Sequence, residues 1–204
     1  MALGSFLLAT LALNLAPGPD MMYVIARSVG QGRRAGVISS LGIACGCLVH
    51  IAAAAAGVAV LLRAWPQAYA VIRLVGAGYL IYLGIGLWRR AHGAGALTTV
   101  GNDADGAIFR QGVVTNVLNP KVGLFFVAFL PQFVDPARGP VALQILALGL
   151  LFNTSGTIVN AGVAWLAGSL RSRVESGVGG VWFRRASGAV LVGLGVRLVL
   201  ARSA

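Results

Sequence analysis

The chain has 204 residues, 58% of them apolar and 10% charged, with 29 glycines and a mean hydropathy of +0.86. Soluble domains carry about 25% charged residues because their surface faces water, so this composition excludes a soluble globular protein and leaves one membrane domain. The 16 Lys+Arg against 5 Asp+Glu would suggest a nucleic-acid partner in a soluble chain. Here they sit in short segments between apolar stretches, with no basic run interleaved with aromatics, which argues for no nucleic acid.

Six apolar stretches follow one another. At ~1.5 Å rise per residue, ~20 residues cross the ~30 Å hydrocarbon core. The first, Ala2 to Ala26, has no Lys or Arg before Arg27 and so lacks the basic start of a secretory signal; it is expected as a retained helix. Its run Leu15-Ala16-Pro17-Gly18-Pro19-Asp20 predicts a break, because each proline lacks a backbone donor and collides with the carbonyl one turn back. The second, Ala35 to Leu62, carries Cys45, Cys47 and His50, and its Gly42/Gly46 GxxxG spacing, with Gly84, Gly188 and Gly193 elsewhere, predicts close packing within the protomer or across a homodimer. The third runs from Trp65 to Trp88, and Trp65, Trp88 and Trp182 read as interfacial anchors.

A hydrophilic stretch, Arg89 to Arg110, holds His92, Asp103 and Asp105 and divides the chain into two sets of three stretches. The fourth apolar stretch, Gln111 to Phe133, is interrupted by Leu118-Asn119-Pro120-Lys121. The fifth, Pro140 to Leu170, puts Asn153, Thr157 and Asn160 at i, i+4 and i+7 on one helix face, and Asn116 and Asn119 share a face in the fourth. These amides suit either interhelical hydrogen bonds or a ligand. The sixth, Ala186 to Leu200, is near the short limit and uses Arg185 and Arg197 as snorkelling flanks; five spans follow if it lies in the interface.

The expected fold is an all-α integral membrane protein of six transmembrane helices, arranged as two inverted three-helix repeats with broken helices one and four. Residues 1–204 form one transporter domain, with repeat one at 1–90, a cytoplasmic loop at 91–108 and repeat two at 109–204. The loops after helices one, three and five hold ten arginines, among them Arg27, Arg33, Arg34, Arg89, Arg90 and Arg110, against Arg63, Arg138 and Arg202 on the other side, or five with Arg73 and Arg197. The positive-inside rule puts the ten in the cytoplasm and both termini outside, with anionic lipid headgroups as partners.

Odd repeats of opposite orientation are the plan of many secondary transporters, whose sites lie where helices break. Pro17, Gly18 and Pro19 make one break and Pro120 the other, and each is followed at once by an ionisable residue, Asp20 or Lys121. Lys121 lies eleven residues, ~16 Å, beyond Arg110, and Asp20 seven residues, ~10 Å, before Arg27, so their depths match. A charge at that depth costs at least ~2.5–3.5 kcal/mol on insertion scales and needs a partner or a function. One reading is an ion pair that staples the halves together. The other is a site for a zwitterion, with its carboxylate on Lys121 and its ammonium on Asp20. His50, easily titrated, is a candidate proton relay beside Asp20, or else a hydrogen-bonded structural histidine.

Pro17-Gly18-Pro19-Asp20, Gly32-Arg33-Arg34-Ala35-Gly36, Gly78-Tyr79-Leu80-Ile81-Tyr82-Leu83-Gly84, Asn119-Pro120-Lys121 with Phe125-Phe126, Leu130-Pro131-Gln132-Phe133 and the segment from Arg185 to Gly195 together resemble the LysE/RhtB amino-acid exporters over nearly the whole chain. The resemblance implies a bacterial inner-membrane exporter of amino acids or close derivatives, driven by the proton motive force. The expected substrate site comprises Asp20, Lys121, Asn119, Asn153 and Asn160, served by alternating access of the two halves, without enzymatic activity.

Rival readings are weaker. A membrane thiol-disulfide carrier would use Cys45 and Cys47, but two positions apart on a helix they point ~200° from each other. A divalent metal exporter would need a cluster of His, Cys and carboxylate, and the only histidines are His50 and His92. No Walker-type phosphate loop, catalytic constellation or cofactor motif is expected.

Overall fold

The computed structural model describes residues 2–64 and 103–169, with isolated helical positions between 71 and 85 and between 189 and 199. The third stretch, Trp65 to Trp88, with its Gly78 to Gly84 motif, the arginines and His92 of the following loop, and the sixth stretch with Gly188, Arg185 and Arg197 lie largely or wholly outside the described residues, as do Trp65, Trp88 and Trp182.

Every regular element described is helical. The order is α1 (Ala2–Leu15), α2 (Pro19–Gln31), α3 (Arg33–Ala64), α4 (Asp105–Val117), α5 (Pro120–Leu124) and α6 (Val141–Ser169). A π turn at Phe125–Phe129 and a 3-10 turn at Leu130–Phe133 continue α5, and a second 3-10 turn at Pro136–Arg138 leads into α6. Within α3, the 25-residue stretch Arg33–Gly57 contains an 18-residue window of mean hydropathy 2.0, and the 29-residue α6 contains one of 1.6, so both are long and apolar enough to cross a membrane. The pair Asp105–Val117 and Pro120–Phe133 passes the same test as one span bent by 45°. Leu8, Leu143, Ile158 and Trp165 are exposed on the outside of these helices, the pattern of a protein solvated by lipid.

Both expected breaks are present, but two boundaries differ from the sequence reading. α2 continues five residues past Ala26 to Gln31 and stops because Gly32, at φ +92°, takes a conformation open to glycine and awkward for other residues. α4 starts at Asp105, six residues before Gln111, inside the stretch read as hydrophilic. Asp105 in its first turn complements the helix dipole, and its carboxylate pairs with Arg34 at 2.6 Å.

Helix α3 is the central element, packed chiefly against α4 and α6. A Cβ on Gly42 would overlap the carbonyl oxygen of Phe109, and one on Gly46 would stand 2.6 Å from that of Val113. The GxxxG pair therefore serves close approach of α3 and α4 inside the protomer. Opposite, Gly112 of α4 would clash with Ser39 O at 2.8 Å.

Two ends of the described helices differ in chemistry. At one, Phe6, Phe125, Phe126, Phe129, Phe133 and Phe152 form a close-packed cluster, with Phe125 and Phe152 stacked at 4.3 Å between centroids. At the other, Arg27, Arg34, Asp103 and Asp105 meet. The helix breaks lie between.

Candidate functional site

The two breaks are built alike. Pro17 deprives the Leu13 carbonyl of its helical donor, and Pro120 does the same to Asn116. Each new helix then begins on a proline, where a missing N–H does no harm: Gly18-Pro19-Asp20 opens α2 and Asn119-Pro120-Lys121 opens α5. Asn119 caps α5, its Oδ1 accepting the Lys121 N–H at 3.0 Å.

The freed groups are satisfied across the halves. Lys121, 6% exposed, donates from Nζ to Ala16 O at 2.9 Å and to Leu13 O at 3.3 Å, at the end of α1 where the helix dipole is negative. Gly18 makes room for it, since a Cβ there would stand 3.0 Å from Nζ. Asp20, 7% exposed, lies in the first turn of α2, where the dipole favours a carboxylate, and accepts from Asn116 Nδ2 at 2.8 Å. The Asn116 carbonyl is taken by the Asn119 N–H at 2.9 Å and by His50 Nε2 at 3.0 Å. A carbonyl only accepts, so Nε2 of His50 bears the proton.

Asp20 and Lys121 do not bond directly. Among the described residues the ion pairs within 4.0 Å are Arg27–Asp103, Arg34–Asp105 and Arg138–Asp135. The alternative of a mutual staple is thus not realised: the acid of the first half is held by an amide of the second, and the amine of the second by carbonyls of the first.

Between them lies a cavity of about 30 Å³. Asp20, Lys121 and Asn116 line one side, and Asn153, Thr157 and Asn160 of α6 the other. Asn119 and His50 stand behind this lining. Of the buried side-chain atoms here without a hydrogen-bond partner, Asp20 Oδ1 and Asn116 Oδ1 belong to residues of the lining and Asn119 Nδ2 does not, so the lining offers two acceptors beside the third N–H of Lys121. No three His, Cys, Asp or Glu side chains among the described residues come together as a metal site. Cys47 is buried in the cavity wall whereas Cys45 is exposed on another face of α3, and both are free thiols.

Sequence reasoning missed Asn14, which also lines the cavity and donates to Ser155 Oγ at 3.0 Å and Phe152 O at 3.3 Å. Its signal was an amide in an apolar helix, one turn before a proline break. It missed equally the polar seam between α2 and α4. Arg27, with a side chain 5% exposed, binds Asp103 at 2.6 Å, Gln31 at 2.6 Å and Gln111 at 2.5 Å, and lies over the Tyr23 ring at 5.5 Å. The Tyr23 hydroxyl donates to Ile108 O at 2.8 Å. The hydrogen bond from Arg27 holds the Asp103 carboxyl below the ordinary carboxylate range, against a smaller opposing effect of desolvation.

Broken helices, a shared polar cavity and the surrounding apolar surface have a counterpart among known proteins. The family description "LysE type translocator" matches residues 11–202. The chain belongs to the LysE type translocator family. It is accordingly a membrane-embedded member of a transporter family. A homoserine/homoserine lactone efflux protein of Salmonella typhimurium is 30% identical over 200 residues, 98% of this chain and 97% of the relative. A leucine efflux protein of the same species is 35% identical over 150 residues, 72% and 70% of the two chains. An uncharacterized membrane protein of Vibrio cholerae is 31% identical over 199 residues, 98% and 97% of the two chains. No solved structure matches.

Proposed function

We propose that this LysE family protein exports amino acids or close derivatives across the bacterial inner membrane by alternating access. The observation that carries the reading is the cavity between the two breaks, where an acid and an amine, not bonded to each other, each keep bonding capacity for a third group. A zwitterion supplies that group. Its ammonium donates to Asp20 Oδ1 and Asn116 Oδ1, and its carboxylate accepts from Lys121 Nζ, with Asn119 Nδ2 coming within reach only as the halves part. The efflux functions named for the Salmonella relatives support the same substrate class.

A cavity of about 30 Å³ holds a water molecule or two, so an amino acid enters only when the halves part. In this reading the α2–α4 seam closes the way on the side of Arg27, and the phenylalanine cluster closes it on the opposite side. In this proposal the Arg27 end is cytoplasmic, and both termini are outside. The full chain forms six helices as inverted repeats at 1–90 and 109–204, joined by the 91–108 loop. Rocking of the repeats opens one closure while the other stays shut.

Proton coupling falls to Asp20, whose free Oδ1 borders the cavity and can take up a proton as the ammonium leaves. His50 is less well placed, because its Nε2–H is bound to a carbonyl that cannot pass a proton onward. The test is counterflow of labelled amino acids in proteoliposomes. Lys121→Met leaves the α1 carbonyls short of a donor and removes the carboxylate's cation, and at ~1–3 kcal/mol per buried group left unpaired transport should fall about 100-fold. Asp20→Asn should transport poorly and lose its response to an imposed pH gradient. Undiminished counterflow by both variants at equal protein level would overturn the assignment.

A further inference from the structure

Around the cavity, oxygens with free bonding capacity gather on one carboxylate. Asp20 Oδ1 and Asn116 Oδ1 are buried without a hydrogen-bond partner, on residues 7% and 2% exposed. Thr157 donates its hydroxyl proton to Asn153 O at 2.7 Å, which leaves its oxygen as an acceptor. Asn153 donates to Ala44 O at 3.2 Å and keeps its Oδ1. Asn14 spends both amide protons on Phe152 O and Ser155 Oγ, so its Oδ1 is an acceptor as well. All five side chains line the same space of about 30 Å³. The cation of that lining, Lys121, is turned to the end of α1, where Ala16 O and Leu13 O take two of its three protons, and it makes no ion pair with Asp20 within 4.0 Å. A carboxylate at membrane depth is thus held by one amide and faces neutral oxygens with its own second oxygen free.

We infer that this cavity binds a sodium ion when no amino acid occupies it, with Asp20 and Asn116 as its principal ligands and Asn14, Asn153 and Thr157 as the others. Hard cations take carboxylate, carbonyl and hydroxyl oxygens, which is what these five side chains supply. Size favours sodium over potassium. The space takes a water or two, and it widens only if α1 leaves α6, where a Cβ on Gly156 would stand 3.1 Å from Asn14 Oδ1. Charge favours sodium over a divalent ion, because Asp20 is the one carboxylate of the lining and Lys121 is beside it. A sodium ion leaves the site with the same net charge as a proton on Asp20, so the two ions are alternative occupants of the acid. The ammonium of an amino acid claims the same two oxygens, so sodium and substrate exclude each other. Inward sodium can then take the place of an amino acid released outside. That exchange rests on the exporter reading above; the ion site does not.

Melting of the full chain in detergent, at one pH and one ionic strength, in sodium, potassium or choline chloride tests the site. Sodium should raise the melting temperature saturably, by a few degrees over the other two salts. Asp20→Asn should abolish the difference. Thr157→Val removes one ligand and no charge, should weaken the apparent sodium affinity severalfold, and reports by itself if the first variant fails to fold. The exchange is read in proteoliposomes loaded with a labelled amino acid, with equal pH on both sides and the membrane potential clamped. Sodium chloride outside should speed efflux severalfold over choline chloride. Equal melting in sodium and in potassium, or a sodium shift unchanged in both variants, overturns the site. A sodium gradient without effect on flux overturns the exchange. Absence of counterflow with every amino acid tried overturns the exporter reading and with it the exchange, while the melting curves still decide the site.

Discussion

The two ends of the described helices, proposed above as the closures of the cavity, are made of opposite materials. The phenylalanine cluster is held by area and shape: Phe6, Phe125 and Phe129 are at most 2% exposed, and ring pairs such as Phe125–Phe152 and Phe125–Phe129 stack at 4.3 and 5.5 Å. The seam between α2 and α4 is held by few directional bonds around Arg27, with Asp103 and Gln111 partly open to water. Water can replace a seam bond as it breaks, so opening there costs little net free energy, whereas parting rings exposes apolar surface with nothing to compensate. The two ends should thus differ in how hard they are to open and in which solution conditions open them.

The strongest way to break this contrast is Phe125→Ala. Removing a fully buried ring contacted by four others should destabilise the fold by about 3–5 kcal/mol, read as lowered thermal stability in detergent. Phe125→Leu should recover most of the loss. A loss below about 1 kcal/mol for alanine would mean that this end is loosely packed and no firmer than the seam.

Arg27→Ala tests the other end and should cost less, about 1.5–3 kcal/mol, because the residues left behind can rehydrate. Its more telling readout is labelling of Cys47 in the cavity wall, on a background in which Cys45 is alanine, by a thiol reagent added from the Arg27 side. Labelling should quicken severalfold with Arg27→Ala and stay near the wild-type rate with Phe125→Leu. The reverse order would exchange the roles of the two closures.

How much of this was legible beforehand differs between local and long-range features. Proline chemistry is local, so the breaks at Pro17–Pro19 and Pro120, and the freed carbonyls of Leu13 and Asn116, could be read from spacing alone. Helical periodicity likewise put Asn153, Thr157 and Asn160 on one face, and all three line the cavity. Partner choice was not readable. Opposite charges and matching depths left Asp20 and Lys121 open to two readings, an ion pair or a zwitterion site, and which amide or carbonyl lies nearer depends on how α1 and α4 cross. Arg27 likewise read only as a topology signal, since its bond to Asp103 joins positions 76 residues apart, and Asp103 lay in what read as loop. The α4 start was misplaced for the same reason: the pairing of Arg34 with Asp105 that anchors its first turn is a tertiary contact.

The smallest and most discriminating effect is the pH dependence of the seam. Asp103 is held below its ordinary pKa of 3.8 by Arg27, so the stabilisation it gives is fully present above that value and is lost as the pH falls through the lowered one. Asp103→Asn removes this contribution at every pH but keeps an oxygen that Arg27 can still bond. The melting temperature of wild type should therefore exceed that of the variant at pH 7, hold that lead down to about pH 4, and approach the variant's on further acidification. Added salt should shrink the lead as well, because Asp103 is exposed enough to be screened. The offset produced by Phe125→Leu should ignore salt and pH alike, as apolar packing carries no charge to titrate. A wild-type lead over Asp103→Asn that persists below pH 3, or one insensitive to ionic strength, would show that the seam owes its hold to packing after all, and the distinction between the two closures would dissolve.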